Sequence, residues 1–140
     1  MKVPALVLTA RLTHFQKICR EKKLPLTPQK LAIFTALAST TTHPSAQMLF
    51  AKLKNKLPQL SLATVYKNLK QFEKLGLVKL ITLPDGTARF DADMSEHQHI
   101  VNLDTRAVSD IFTKIKLPSF SAAKKLALVG TSVKFFVRNT

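Results

Sequence analysis

The sequence predicts an α+β chain: short amphipathic helices first, then a β-hairpin, then a smaller segment of different composition. Three observations carry this. Apolar residues recur at helical spacing in four stretches before Gly76. A Pro84-Asp85-Gly86 turn signal separates two strand-like runs. Charge is unevenly divided: residues 1–90 hold fifteen Lys and Arg against three acids, a net of +12, whereas residues 91–140 hold seven against five, a net of +2. The asymmetry divides the chain near Phe90, into residues 1–90 and 91–140. A basic N-terminal part is the electrostatic footprint of a polyanion-binding surface.

The first helix is expected over residues 8–22, with Leu8, Leu12, Phe15, Ile18 and Cys19 on one face. Cys19 is the only cysteine, so no intrachain disulfide can form, and its register makes it a buried apolar-face residue. Pro25 breaks the pattern. Thr27-Pro28 then starts a second helix: a hydroxyl to cap it and a proline at the first helical position. Leu31, Phe34, Leu37 and Ala38 form its buried face. Pro44-Ser45 starts a third helix, with Ala46, Leu49, Phe50, Leu53 and Leu57 inward, and Pro58 ends it. Ser61 caps the fourth helix and Gly76 closes it. Its apolar stripe is Leu62, Val65, Leu69 and Phe72.

The other face of the fourth helix carries Thr64, Lys67, Gln71 and Lys74, with Lys70 beside it and Tyr66 and Asn68 on the flanks. A charged helix face is most often merely solvated. This one mixes cations suited to phosphates with short polar groups suited to base edges, as a major-groove helix requires. Residues 77–83 and 87–91 read as the strands of the hairpin. Helices followed by a hairpin make a winged helix-turn-helix. Residues 61–75 would be its recognition helix and residues 77–90 its wing, with Lys79 and Arg89 available for phosphate. The DNA-facing set is therefore Ser61, Thr64, Tyr66, Lys67, Asn68, Lys70 and Gln71 on the helix, with Lys79 and Arg89 on the wing.

Residues 89–110 hold five of the eight acidic residues and two of the four histidines of an otherwise basic chain. His97 and His99, two apart, share a face if that segment is extended. With carboxylates nearby they make a mixed nitrogen and oxygen set, suited to Fe(II), Mn(II) or Zn(II) more than to a soft ion. By itself His-x-His better describes two polar residues on a solvated strand.

The segments LTPQKLAIFTAL, HPSAQMLFAKLK, LSLATVYKNLKQFEKLGLVKLITLPDGTARFD and HQHIV, in this order and spacing, resemble the ferric uptake regulator family of metal-dependent transcription repressors. The similarity covers roughly residues 12–110 and weakens after Ile111. It implies a winged-helix domain followed by a small α/β dimerisation domain, a homodimer on palindromic double-stranded DNA operators, and one regulatory metal per subunit between the domains. Carried over by position, the ligands would be His43, Asp91, His97, His99 and Asp110, holding Fe(II) or Mn(II), with Zn(II) able to substitute in vitro. Five such ligands leave room for an exogenous sixth. A metal shared between domains would fix their angle, and so the spacing of the recognition helices. Asp at position 91 resembles the peroxide-sensing branch, where the iron-sensing branch more usually has Glu. Asp93 could substitute for Asp91 or simply be exposed.

The departures matter as much. Most family members hold a structural Zn(II) with two Cys-x-x-Cys pairs. Those thiols would fall at Asn102, Thr105, Ser132 and Phe135, and all four are absent, so no structural tetrathiolate zinc is expected. Residues 111–124 are short for the family's dimerisation helix and Pro118 interrupts them. Residues 124–129 and 133–137 read as strands, so the dimer would rest on apolar packing and strand pairing.

The function these readings imply is a metal-dependent, DNA-binding repressor. It senses peroxide through iron-catalysed oxidation of ligand histidines. The competing reading is an iron-, manganese- or zinc-responsive repressor of the same family without peroxide chemistry. A metalloenzyme is a third, opposed by the lack of a Ser-His-Asp order, a phosphate loop or HExxH. No apolar run approaches the ~20 residues of a membrane span, and the first residues make no convincing signal peptide. A cytoplasmic location and no membrane partner are expected.

Overall fold

The computed structural model describes residues 2–116 and 131–140. Its elements are α1 (Ala5–Glu21), α2 (Pro28–Ala38), α3 (Ala46–Leu53), α4 (Leu62–Lys74), β1 (Lys79–Thr82), β2 (Ala88–Asp91), β3 (Gln98–Asn102), β4 (Val108–Ile111) and β5 (Lys134–Val137). Two compact units result, Met1–Ser95 and Glu96–Thr140.

In the first unit the helix starts follow local chemistry. The side chains of Thr27, Ser45 and Ser61 accept from the backbone N–H groups of Lys30, Met48 and Thr64 at 3.1, 3.2 and 3.1 Å, each satisfying an orphan donor of the first turn. The stops of α1 and α4 share one design. The Leu24 N–H donates to Cys19 O and the Lys23 N–H to Arg20 O, while the Leu77 N–H donates to Phe72 O and the Gly76 N–H to Glu73 O. Both are paired 6→1 and 5→2 closures around a left-handed residue, Lys23 (φ 53°) and Gly76 (φ 69°). α1 begins three residues before the expected position. The chain ahead of it is anchored by the Val3 N–H on Ser39 O, and Val3 is buried.

Apolar stripes of all four helices meet in one core. Phe15 stacks on Phe34 at 4.1 Å, and Phe72 meets both rings edge-on at 5.4 and 5.5 Å. All three rings are buried, among Ile33, Leu37, Leu49, Val65 and Leu69. Offset and edge-on ring pairs add to burial because the quadrupoles are complementary.

β1 and β2 form an antiparallel hairpin, Lys79 opposite Asp91 and Thr82 opposite Ala88. Gly86 (φ 84°) sits in the turn, and the Thr87 N–H donates to Asp85 Oδ1. The strands are shorter than predicted. Leu77 and Val78 are core residues, and the Leu77 N–H is already used in closing α4, so pairing starts at Lys79.

The second unit is a three-stranded sheet in the order β4-β3-β5, antiparallel between β3 and β4 and parallel between β3 and β5. Among the described residues of this unit, Val101 and Val108 are the buried apolar pair. Asn102 and Thr105, where the resemblance would place the first zinc-binding pair, are joined by a hydrogen bond. Asn102 Oδ1 accepts from the Asp104 and Thr105 N–H groups, and Asn102 Nδ2 donates to Asn139 Oδ1 at 2.9 Å. The Asn139 N–H and the Arg138 guanidinium both reach the Asp104 carboxylate. Of the expected C-terminal strands, the one over residues 133–137 is present as β5. The one over residues 124–129 lies outside the described residues, as does most of the segment judged short for a helix. Among the described residues no helix is long and apolar enough to cross a membrane.

Candidate metal centre and nucleic-acid interface

His43 sits in the loop before α3 with φ 53°, immediately ahead of Pro44. A left-handed non-glycine residue before proline is strained and persists only where its surroundings enforce it. Here β2 does the enforcing. The Arg89 guanidinium donates to His43 O at 3.2 Å, and the Phe90 N–H donates to Pro44 O at 3.0 Å. The next residue on that strand is Asp91, whose Oδ2 lies 3.4 Å from His43 Nε2 with both side chains buried. One strand thus bends the His43 loop and presents a carboxylate to its imidazole. The other carboxylate oxygen, Oδ1, accepts from the Asp93 N–H at 2.8 Å.

The second unit holds His97, His99 and Asp110. His97 precedes β3 and His99 lies within it, and their Nε2 atoms are 3.1 Å apart. Register places Asp110 of β4 opposite His99. Asp110 Oδ1 is 3.2 Å from His97 Nε2 and 3.5 Å from His99 Nε2. These atoms form a triangle of two imidazole nitrogens and one carboxylate oxygen. A single imidazole proton can bridge one edge of that triangle, whereas a cation satisfies all three corners. Ligand atoms at about 2.1 Å from a common ion lie about 3.0 Å apart at right angles and about 3.4 Å apart in a tetrahedron. The observed edges match such a face, and the nitrogen and oxygen donors fit Fe(II), Mn(II) or Zn(II).

On α4, Tyr66, Lys67 and Lys70 are exposed, and Thr64 and Gln71 are half-buried. A groove of about 390 Å³ runs between α4 and the hairpin, lined by Tyr66, Lys67, Lys70 and Glu73 on one side and Leu80, Ala88 and Phe90 on the other. Ser61 Oγ is engaged with Thr64 Oγ1 and with the Thr64 N–H.

Three residues expected at the DNA surface are placed otherwise. Asn68 is buried and its amide donates to Thr64 O, because it lies on the same helical stripe as Val65 and Phe72. Arg89 is buried and braces the His43 loop. Lys79 is half-buried and donates to Ser95 O at 2.7 Å. Asp93, weighed as a ligand or an exposed acid, is neither in this arrangement: it pairs with Arg11 at 3.3 Å.

Two further side chains near these clusters have no signal in the sequence. Arg11 of α1 is one. The other is Phe112, whose ring lies 5.3 Å from that of His97. Both contacts join residues without a local pattern between them.

With the geometry in hand, known proteins are informative. A profile described as the ferric uptake regulator family matches residues 21–135. Over 82 residues the chain is 39% identical to a peroxide-responsive repressor PerR of Staphylococcus aureus, covering 59% of this chain and 55% of that protein. The chain thus spans about half the length of the curated relatives it matches. Among solved structures, the Helicobacter pylori ferric uptake regulator Fur superposes with a TM-score of 0.76 at 18% identity, over 99% of this chain and 94% of that one. The Pseudomonas aeruginosa ferric uptake regulator with manganese gives 0.67 at 28% identity, over 89% and 96%. The first supports the α+β fold alone, with a winged-helix unit ahead of a small sheet unit. The profile match covers well over half of the chain, and on it this protein belongs to the ferric uptake regulator family.

Proposed function

We propose that this protein is a metal-dependent, DNA-binding transcriptional repressor that senses peroxide. The observation that carries the reading is the triangle of His97 Nε2, His99 Nε2 and Asp110 Oδ1, with edges of 3.1–3.5 Å. His43 and Asp91, paired in the first unit, would complete the ligand set for one Fe(II) or Mn(II) per subunit. Bound iron would supply redox chemistry with peroxide that manganese would not. The chain's residues do the rest. His43 and Asp91 belong to the unit carrying α4, the other three to the sheet unit, so shared ligation would favour one arrangement of the two. Near-complete switching of such an equilibrium requires differential affinity on the order of 5 kcal/mol.

The DNA reading rests on α4 and its basic, exposed Lys67 and Lys70 beside Tyr66, presented on a winged-helix unit of net positive charge. A homodimer would place two such helices on a palindromic operator. The peroxide reading rests on Asp91, which resembles the peroxide-sensing branch, and on the similarity to PerR proteins. In that branch His43 or His97 would gain one oxygen atom, lose its ligand geometry and release DNA. The second reading is a metal-responsive repressor without this step. It is favoured by the similarity to the structure of a ferric uptake regulator with manganese.

Two measurements test these readings. Mn(II) titration should give one site per chain, and Asp110→Ala should weaken it by more than about 100-fold, beyond the loss typical of outer-shell changes. Retained affinity would remove the ligand assignment. After anaerobic Fe(II) loading and a small peroxide excess, mass spectrometry should find oxygen added at His43 or His97. Unmodified peptides would select the second reading.

A further inference from the structure

Residues 91–95 leave the hairpin toward the second unit, and they are held more tightly than a linker needs to be. Asp91 Oδ1 accepts from the Asp93 N–H at 2.8 Å. Asp93 Oδ1 accepts from the Ser95 N–H at 2.9 Å and its hydroxyl at 2.6 Å. These are two consecutive Asx-type turns, in which a carboxylate captures the backbone two residues on. Asp93 Oδ2 faces Arg11 Nη2 at 3.3 Å, and the two side chains are only 25% and 17% exposed. Arg11 is itself fixed, since its Nη1 donates to Ala38 O, at the end of α2, at 3.0 Å. An unbroken chain of polar contacts therefore runs from the α2 terminus through Arg11 and Asp93 to the carboxylate of Asp91.

The geometry points to Arg11 and Asp93 as positioning residues for the metal, acting through Asp91. The Asp93 N–H engages Oδ1 and thereby turns Oδ2 toward His43, 3.4 Å away. Without it the plane of the Asp91 carboxylate loses a restraint on rotation about its terminal bond, so a smaller share of the population holds an oxygen toward His43. Arg11 makes this orientation a property of the helical core. It pins Asp93, and with it the backbone N–H that Asp91 needs. The arginine carries a planar fork suited to serving a carbonyl and a carboxylate at once, which a lysine cannot reproduce. Partners one layer beyond the ligands typically change metal affinity by 10- to 100-fold. This inference rests on the assignment of Asp91 as a ligand.

The test is a thermodynamic cycle on metal affinity, read by Mn(II) titration of the 140-residue chain and needing no DNA. Arg11→Met and Asp93→Ala should each weaken Mn(II) binding by about 10-fold or more, and Arg11→Lys should restore little of it. In an Asp91→Ala background, already weakened, Arg11→Met should have no further effect. Far-ultraviolet circular dichroism of each apo variant establishes that the fold is intact. If a variant is unfolded, Asp93→Asn, which keeps the Asx turn and weakens the ion pair, takes its place in the cycle. Equal losses from Arg11→Met with and without Asp91 would overturn the inference, as would no loss in the wild-type background. If Asp91→Ala leaves Mn(II) affinity unchanged, the ligand assignment of Asp91 fails, and this inference fails with it.

Discussion

Lys67 and Lys70 are the exposed cations of α4 beside the groove that Tyr66 and the hairpin share. Replacing both with Ala removes two candidate phosphate contacts per subunit and leaves the buried stripe of Val65, Leu69 and Phe72 untouched. Each phosphate neutralised on duplex DNA contributes about 0.9 to the slope of log affinity against log salt. Two contacts contribute about 1.8. Between 50 and 200 mM salt, a fourfold change, wild type should lose roughly 12-fold more affinity per subunit than the double variant. The loss should be alike for operator and random duplexes, because phosphate contacts position the protein without reading sequence. Fluorescence anisotropy with metal-loaded protein at four salt concentrations measures the slope. Parallel lines for wild type and variant would refute α4 as the phosphate-facing helix. Tyr66→Ala, by contrast, should weaken specific sites more than random DNA.

Phe72→Ala removes the ring that meets both Phe15 and Phe34 edge-on in a buried core, and should cost about 3–5 kcal/mol in urea unfolding; a loss under about 1 kcal/mol would mean the core repacks around the cavity. Exhaustive chelation should leave the circular dichroism of the fold unchanged, since Asn102 and Thr105, two of the four positions where the zinc thiolates would fall, are joined by a hydrogen bond instead. A retained zinc that chelators cannot remove would contradict this. Burial pushes the Cys19 thiol up, with Lys30 partly opposing. Native protein should therefore react slowly with iodoacetamide at pH 8 and quickly in denaturant. The sign for stability follows. The unfolded thiol loses its proton first, so stability should fall as pH rises past roughly 8.5. Rapid alkylation of native protein would show that α1 opens readily.

What was legible in the sequence was mostly local. Thr27, Ser45 and Ser61 act within three residues, Gly76 within five, and the Phe15, Phe34 and Phe72 positions follow from helical period alone. The paired histidines were legible because a two-residue spacing implies a shared face. The facing of Asn68 was not, because helical period gives a stripe without its width, and this stripe is wide enough to include a polar residue that bonds to its own helix. Arg89 was misplaced for a related reason. β2 is buried at Arg89, Phe90 and Asp91 in succession, so alternation does not say which side chain faces out. The pairing of Asp110 with His99 needed the β3–β4 register. The Arg11–Asp93 contact joins α1 to the end of the hairpin, a distance in sequence over which no periodic signal operates.

The measurement that bears most directly on the central claim is binding of wild-type protein to operator duplex, metal-loaded against chelated. Footprinting of genomic fragments with the loaded protein identifies that duplex. With Mn(II) the protein should bind far more tightly than in chelator, and His99→Ala should bind equally weakly in both. Equal, tight binding by wild type with and without metal would contradict the account.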